Sequence, residues 1–256
     1  MNLNFKEYGK GQPLLILHGL LGSLDNWHTL SKTFAESFRV LAVDQRNHGR
    51  SPHSDVFTYD AMAEDLVEFL DRLHIASTYL LGHSMGGKTA MQLALAHPER
   101  VGKLIVVDIS PRAYPPLHDE LLDAMLSINL AVYQSRQHVD KALASRIPEF
   151  PVRQFLLKNL SRDASGRFSW KANLDVISRN YEEIARQITA PVPFTKPTLF
   201  VKGDRSHYIL EADTPSIRQL FPRATISTLD SGHWIHAEIP MPFADLVIRF
   251  LTGAAG

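Results

Sequence analysis

Leu14-Leu15-Ile16-Leu17 is apolar at every position, the pattern of a strand covered on both faces rather than one that shows a face to water. It stops at His18-Gly19-Leu20-Leu21-Gly22, a glycine-bearing loop. From Trp27 the period changes: Trp27, Leu30, Phe34 and Phe38 recur at steps of three and four, which predicts one buried face of a helix. Arg39 to Val43 predicts the next strand, which ends in the polar turn Asp44-Gln45-Arg46-Asn47-His48-Gly49-Arg50-Ser51. Helical spacing returns over Tyr59 to Leu73 through Met62, Leu66, Leu70 and Leu73. A third strand through Leu80-Leu81 breaks at Gly82-His83-Ser84-Met85-Gly86-Gly87 into a helical stretch, Lys88 to Leu95, that Pro98 closes. Lys103 to Asp108 then predicts another buried strand with an acid at its C-terminal end.

After this the rhythm breaks. From Arg112 to about Pro193 no similar strand is visible, and helical periodicity is punctuated by Pro115-Pro116, Pro148, Pro151, Pro191 and Pro193. Strand character resumes at Thr198 to Gly203 and at Ala224 to Leu229, and Pro242 to Leu251 makes a closing helix before a small-residue tail. The pattern predicts an α/β fold: a mainly parallel sheet with helices on both faces, formed by residues 1–111 and 194–256, with an insertion over 112–193. In such sheets ligands sit beyond the strand C-termini. Ser84, Asp108 and His233 all follow strands at that edge.

Composition narrows the function. A chain of 256 residues with 45% hydrophobic content can bury a sizeable core. Lys plus Arg equals Asp plus Glu at 27 each, so no global field favours nucleic acid or an anionic membrane, and small-molecule chemistry fits better. The absence of cysteine excludes disulfides and a thiol nucleophile. Neither an apolar leader nor a run of about 18 apolar residues is present, so a cytoplasmic location is the default expectation, and oligomeric state is left open.

The chemistry centres on Gly82-His83-Ser84-Met85-Gly86. A serine on a sharp strand-to-helix turn has an exposed hydroxyl, and glycines two before and two after it leave room for the chain to fold back. Ser84 is therefore the candidate nucleophile. A serine hydroxyl needs a base to take its proton, and the base needs an acid to fix its tautomer. Of twelve histidines, His233 is the best base because it lies in a glycine-flanked turn after the last strand, and Asp108 supplies the acid in the order serine, acid, histidine. His83 is expected to point away from the hydroxyl and pack; His18 and His48 adjoin glycines and are expected to make structural hydrogen bonds; His97, His118 and His207 carry no separate signal. His233 and His236 have helical spacing but no third ligand, which argues against a metal. An oxyanion needs two fixed donors, for which the amides of Met85 and Leu20 are the candidates.

His18-Gly19, Asp44 to Ser51, Gly82 to Gly87 and Gly232-His233 together resemble the α/β-hydrolase superfamily over nearly the whole chain. His18 to Asn26, Asp44 to Gly49 and Val107-Asp108-Ile109-Ser110-Pro111 are more closely similar to the bacterial YbfF-type carboxylesterases. The resemblance implies an α/β-hydrolase fold with a helical cap, ester hydrolysis through an acyl-enzyme, acyl-coenzyme A thioesters as further substrates, and no cofactor. It also implies an acid three residues beyond Gly203, where this chain has Ser206; Asp204 is out of register. The acid is then expected at Asp108, with Ser206 as a supporting hydrogen-bonding residue or an inert one.

Within the insertion, Phe150, Phe155, Phe168 and Trp170 interleave with Arg153, Lys158, Arg162, Arg167 and Lys171. A substrate-pocket wall of Phe155, Phe168 and Trp170 with a phosphate-binding rim fits this stretch, as does a plain cap core with a solvated charged face. Three other functions share the fold: a perhydrolase, a carbon-carbon bond hydrolase on the same triad, and a non-catalytic ligand-binding receptor.

Overall fold

In the computed structural model, which describes residues 1–116 and 118–253, the apolar runs become a seven-stranded sheet. Its members are β1 (Phe5–Tyr8), β2 (Pro13–Leu17), β3 (Arg39–Val43), β4 (Thr78–His83), β5 (Val101–Val107), β8 (Thr198–Gly203) and β9 (Ala224–Leu229). Between β5 and β8, β6 (Leu160–Arg162) and β7 (Phe168–Trp170) pair as a separate antiparallel hairpin. The sheet order is β1-β3-β2-β4-β5-β8-β9, parallel throughout except for β1 against β3. The expected mainly parallel α/β sheet is thus observed. Successive side chains of a strand point to opposite faces, and both faces are buried. Leu15 and Leu17 belong to one core cluster, while Leu14 and Ile16 belong to the other.

The helices follow the same logic. On one side, α1 (His28–Phe34) and the closing α11 (Pro240–Thr252) cover Leu14, Ile16 and Val40 through Leu30, Phe34, Phe243 and Val247. On the other, α2 (Tyr59–Arg72) presents Met62, Leu66, Phe69 and Leu70 to the sheet, and Thr58 caps it by accepting from the Ala61 amide. Beside α2 lies α3 (Met85–Ala96), which starts immediately after Ser84. Two short helices, α9 (Thr214–Leu220) and α10 (Ile235–Glu238), flank β9. The tail after Gly253 lies outside the described residues.

The insertion holds α4 (Asp119–Leu126), α5 (Arg136–Leu143), α6 (Phe150–Leu156), α7 (Leu174–Arg179), α8 (Tyr181–Ala185) and the β6–β7 hairpin. The hairpin departs from the helical pattern expected there, because two three-residue strands are too short to display a period of two. Leu122, Met125, Leu156 and Ile177 from this segment share one buried cluster with the sheet residues Leu15 and Leu17. The insertion is also pinned to core loops by polar contacts: Asn159 Nδ2 donates to the Leu21 carbonyl, and the Asn173 amide donates to the Asn47 carbonyl at 2.9 Å. Among the described residues no helix is long and apolar enough to cross a membrane.

Candidate active site

The turn from β4 into α3 leaves no room for side chains beside the serine. A Cβ on Gly82 would lie 2.1 Å from the Gly86 carbonyl oxygen, and one on Gly86 would lie 2.5 Å from the His18 carbonyl oxygen. Ser84 itself takes φ 53° and ψ −121°, a region that side-chain-bearing residues rarely enter. The turn is held by the Ser84 amide donating to the Val107 carbonyl at 3.0 Å and by its own carbonyl accepting from Gly87 at 2.8 Å. Three other non-glycine residues at this sheet edge have positive φ: Leu21 (57°), Asn47 (64°) and Asp108 (50°).

Asp108, just past β5, is fully buried, and its carboxylate is saturated with donors. His233 Nδ1 lies 2.7 Å from Oδ2, which also accepts from the Ser206 hydroxyl, while Oδ1 accepts from the Gly203 amide at 3.0 Å. A carboxylate only accepts, so His233 carries its proton on Nδ1 and leaves Nε2 as a base. The imidazole is fixed from two other directions. Tyr208 stacks on its face at 4.0 Å with an interplanar angle of 21°, and His83 Nε2 donates to the His233 carbonyl at 2.9 Å. Ser84 and His233 line the same cavity. Among the described residues they form no hydrogen bond to each other; such contacts commonly tighten only with substrate in place. Asp204 accepts from the Ser231 amide at 2.9 Å and so braces the loop before His233 without touching the ring.

Opposite the histidine, the loop after β2 is organised by two buried neutral imidazoles. His18 Nδ1 donates to the Gly19 carbonyl at 2.8 Å, and its Nε2 accepts from the Gln45 amide at 3.0 Å. His48 Nδ1 donates to the Arg46 carbonyl at 3.0 Å, and its Nε2 accepts from the Leu21 amide at 3.1 Å. Burial pushes His48 down to about 3 and lowers His18, although the Asp44 charge raises the latter. With the Leu21 amide bound to His48 and the Gly22 amide bound to Gly19, the Leu20 amide is left without a hydrogen bond among the described residues. Met85 is the first residue of α3, so its amide has no partner within the helix.

The shared cavity is about 270 Å³. The core lends it Leu20, Trp27, His83, Ser84, Tyr208 and His233, and the insertion covers it with His118, Leu121, Val152, Phe155 and Leu156. A smaller cavity of about 30 Å³ lies against Ser84, bounded by Met85, Ile109 and Ile184 and by the buried lysine Lys88. Lys88 Nζ donates to the carbonyls of Arg112 at 2.9 Å, Ala185 at 3.3 Å and Arg186, at the two ends of the insertion. Burial, with the Arg112 and Arg186 charges, lowers Lys88 to about 7.

Several sequence expectations need correction. Phe155 lines the cavity, but Phe168 and Trp170 do not. Phe168 lies under the Arg162 guanidinium in the hairpin, and Trp170 Nε1 donates to the Met125 carbonyl at 3.2 Å, so both serve the fold of the insertion. Arg153 is no phosphate-binding rim: it is buried, pairs with Asp140 at 2.8 Å and donates to the carbonyls of Ile147 and Pro148. His83 does more than pack, because it lines the cavity and holds the His233 loop, with burial keeping its pKa well below the usual histidine range. His118, which gave no signal in the sequence, also faces the cavity and is lowered to about 4 by burial. His236 stacks on Trp27 at 4.5 Å rather than pairing with His233, and among the described residues no group of three His, Asp or Glu side chains is placed to hold a metal. Tyr208 and Lys88 were missed. For Lys88 a signal existed, since a charged residue interrupts the apolar start of α3 one turn after the serine.

Comparison with known proteins places this geometry in context. The model of the alpha/beta hydrolase fold family matches residues 12–240. The sn-1-specific diacylglycerol lipase ABHD11 of Danio rerio is 41% identical over 98% of this chain and 83% of that protein. Esterase YbfF of Escherichia coli (strain K12) is 35% identical over 94% of this chain and 93% of that protein. Among solved structures, a marine microorganism esterase superposes with a TM-score of 0.95 at 42% identity, covering 97% of this chain and 98% of that one.

Proposed function

The chain belongs to the alpha/beta hydrolase fold family, and from that premise we propose that it is a serine carboxylesterase cleaving acyl esters through an acyl-enzyme. The observation that carries this reading is the Asp108–His233 pair, 2.7 Å long, in one cavity with a serine on a strained turn. Ser84 Oγ attacks the carbonyl carbon while His233 Nε2 takes its proton, and Asp108 holds the Nδ1 proton and stabilises the imidazolium. The carbonyl oxygen becomes an oxyanion facing the Leu20 and Met85 amides. As the carbon–oxygen bond to the alcohol breaks, His233 returns the proton to the departing oxygen. Water then attacks the acyl-enzyme with His233 as base, the bond to Oγ breaks, and Ser84 recovers its proton. Ser206 positions Asp108 by donating to the oxygen that faces the histidine.

A finer reading extends the substrates to acyl-coenzyme A thioesters, with Lys158 as the candidate phosphate-binding cation. It is exposed on the insertion, and its charge reaches His236 in the cavity wall. We assign the enzyme to the cytoplasm as part of the same reading. The test is labelling with a fluorophosphonate probe, expected on Ser84 alone, beside turnover of an ester, an acyl-coenzyme A, a β-diketone and a peroxide-forming reaction. Undiminished labelling of Ser84→Ala would sink the nucleophile, and turnover of the β-diketone without the ester would replace esterase with carbon-carbon hydrolase.

A further inference from the structure

Two cavities meet at Ser84, and they differ in size, lining and relation to the histidine. The larger, about 270 Å³, touches Ser84 and His233. The smaller, about 30 Å³, touches Ser84, Leu20 and Met85 but not His233. The tetrahedral intermediate imposes an order on them. Of its four bonds, one goes to Ser84 Oγ, one to the oxyanion facing the amides, and one to the leaving oxygen, which must approach His233 Nε2 to receive a proton. The fourth, to the acyl chain, points where the histidine is not. We propose that the small cavity is the acyl site and the large one the alcohol site, so that the enzyme is built for short acyl groups on bulky apolar alcohols. This rests on the serine esterase reading above and deepens it.

The size of the small cavity sets the acyl length. Roughly 10–15 Å³ of such space holds one water-sized sphere, so this cavity admits about two or three heavy atoms beyond the reacting carbon. Its far end is closed by chemistry as well as by shape. The Lys88 ammonium spends its three donors on the carbonyls of Arg112, Ala185 and Arg186, and the rings of Tyr114 and Tyr59 stand 4.9 and 5.9 Å from it. A longer chain would have to push aside that clamp and leave its three carbonyls without their donor. The limit on acyl length is therefore steep. The alcohol side has no such stop: Leu121, Val152, Phe155 and Leu156 give it an apolar wall from the insertion.

The experiment compares two substrate series on the intact enzyme. In the first the leaving group is constant and the acyl chain runs from acetyl through butyryl and octanoyl to dodecanoyl. In the second the acyl group is acetyl and the alcohol runs from ethanol to naphthylmethanol. The expected result is a fall in kcat/KM of roughly a hundredfold between butyryl and octanoyl, with kcat/KM holding or rising along the alcohol series. Ile184→Ala, which lengthens the small cavity, should raise the octanoyl-to-acetyl ratio about tenfold, and Ile109→Ala serves if that variant fails to fold. Val152→Trp, in the large cavity, should lower the naphthylmethyl-to-ethyl ratio and leave the octanoyl-to-acetyl ratio in place. Full tolerance of dodecanoyl esters, or an acyl preference that moves with Val152→Trp and not with Ile184→Ala, overturns the assignment. A Ser84 that neither binds fluorophosphonate nor turns over any ester overturns the esterase reading itself, an outcome distinct from the wrong cavity order.

Discussion

The sheet edge and the insertion that covers it are built by different means. At the edge, side-chain positions follow from backbone: Ser84 and Asp108 sit at strand ends with positive φ, and the space around Gly82 and Gly86 is filled by other backbone atoms. In the insertion they follow from side-chain packing and ion pairs, among short helices of five to eight residues. The edge is thus intolerant at single atoms. The insertion is tolerant at many positions and sensitive at a few tethers, such as Lys88, Asn159 and Arg153. The difference separates positions fixed by backbone from positions fixed by side-chain packing.

Asp108→Asn should give the largest effect, because an amide in place of the carboxylate loses control of the histidine tautomer and lowers kcat by about three to four orders of magnitude. Asp204→Asn, which touches only the loop, should cost less than about tenfold on the same steady-state assay. Reversal of that order would show that the acid lies elsewhere. Ser206→Ala should fall between them: a hydrogen bond to a charged group is worth about 1.5–3 kcal/mol, or roughly ten- to a hundredfold in rate. Proteins with Lys88→Met should unfold at lower temperature than the parent, since three carbonyls lose their donor. The parent's advantage should widen as pH rises from about 7 toward 10, because the unfolded lysine keeps its proton up to its ordinary value and the folded one does not. Denaturant melts at pH 6.5 and 9.5 would read this; a constant gap would mean that Lys88 stays charged in the fold throughout.

The edge should also respond to acid through its two buried imidazoles. His48 is held near 3 and His18 is lowered, so the unfolded state binds protons first as pH falls below about 6.5. Their stabilising contribution is complete above that pH and is lost progressively toward pH 3. Hydrogen exchange at the Leu21 amide should accelerate over this window beyond the intrinsic pH trend, relative to amides in α5. The smallest expected kinetic effect is in the insertion. Arg153→Ala should lower the melting temperature yet leave the ratio of KM values for thioester and ester unchanged, because Arg153 is spent on Asp140 and two carbonyls. A selective rise in KM for the thioester would restore the phosphate-rim reading.

The same contrast governs what the sequence discloses. Strands buried on both faces are uniformly apolar, so β2, β3, β5 and β8 are legible from composition alone. Of the two edge strands, β9 was legible from its β-branched run, whereas β1, with Lys6 and Glu7 facing solvent, went unseen. The placement of Ser84, Asp108 and His233 at one edge was legible because strand C-termini converge there in a parallel sheet. The cavity-facing side of the insertion was not. Phe155 and Phe168 look alike in sequence, and only the tertiary packing of the insertion decides which of them reaches the cavity. His83 and Tyr208 were hidden for a related reason. Each acts on His233 across a gap in the chain that no local pattern spans.

The positive φ angles at Ser84 and Asp108 bear on how such a protein changes under selection. Each costs about 1–3 kcal/mol that the surrounding sheet must outweigh, while glycine at either position would relax the backbone at once. At Ser84 a substitution that relaxes the backbone is therefore one that also removes the hydroxyl. A library sorted for heat resistance alone would be free to give up that hydroxyl, whereas Asp108 would be held in place by the donors from Ser206, Gly203 and His233.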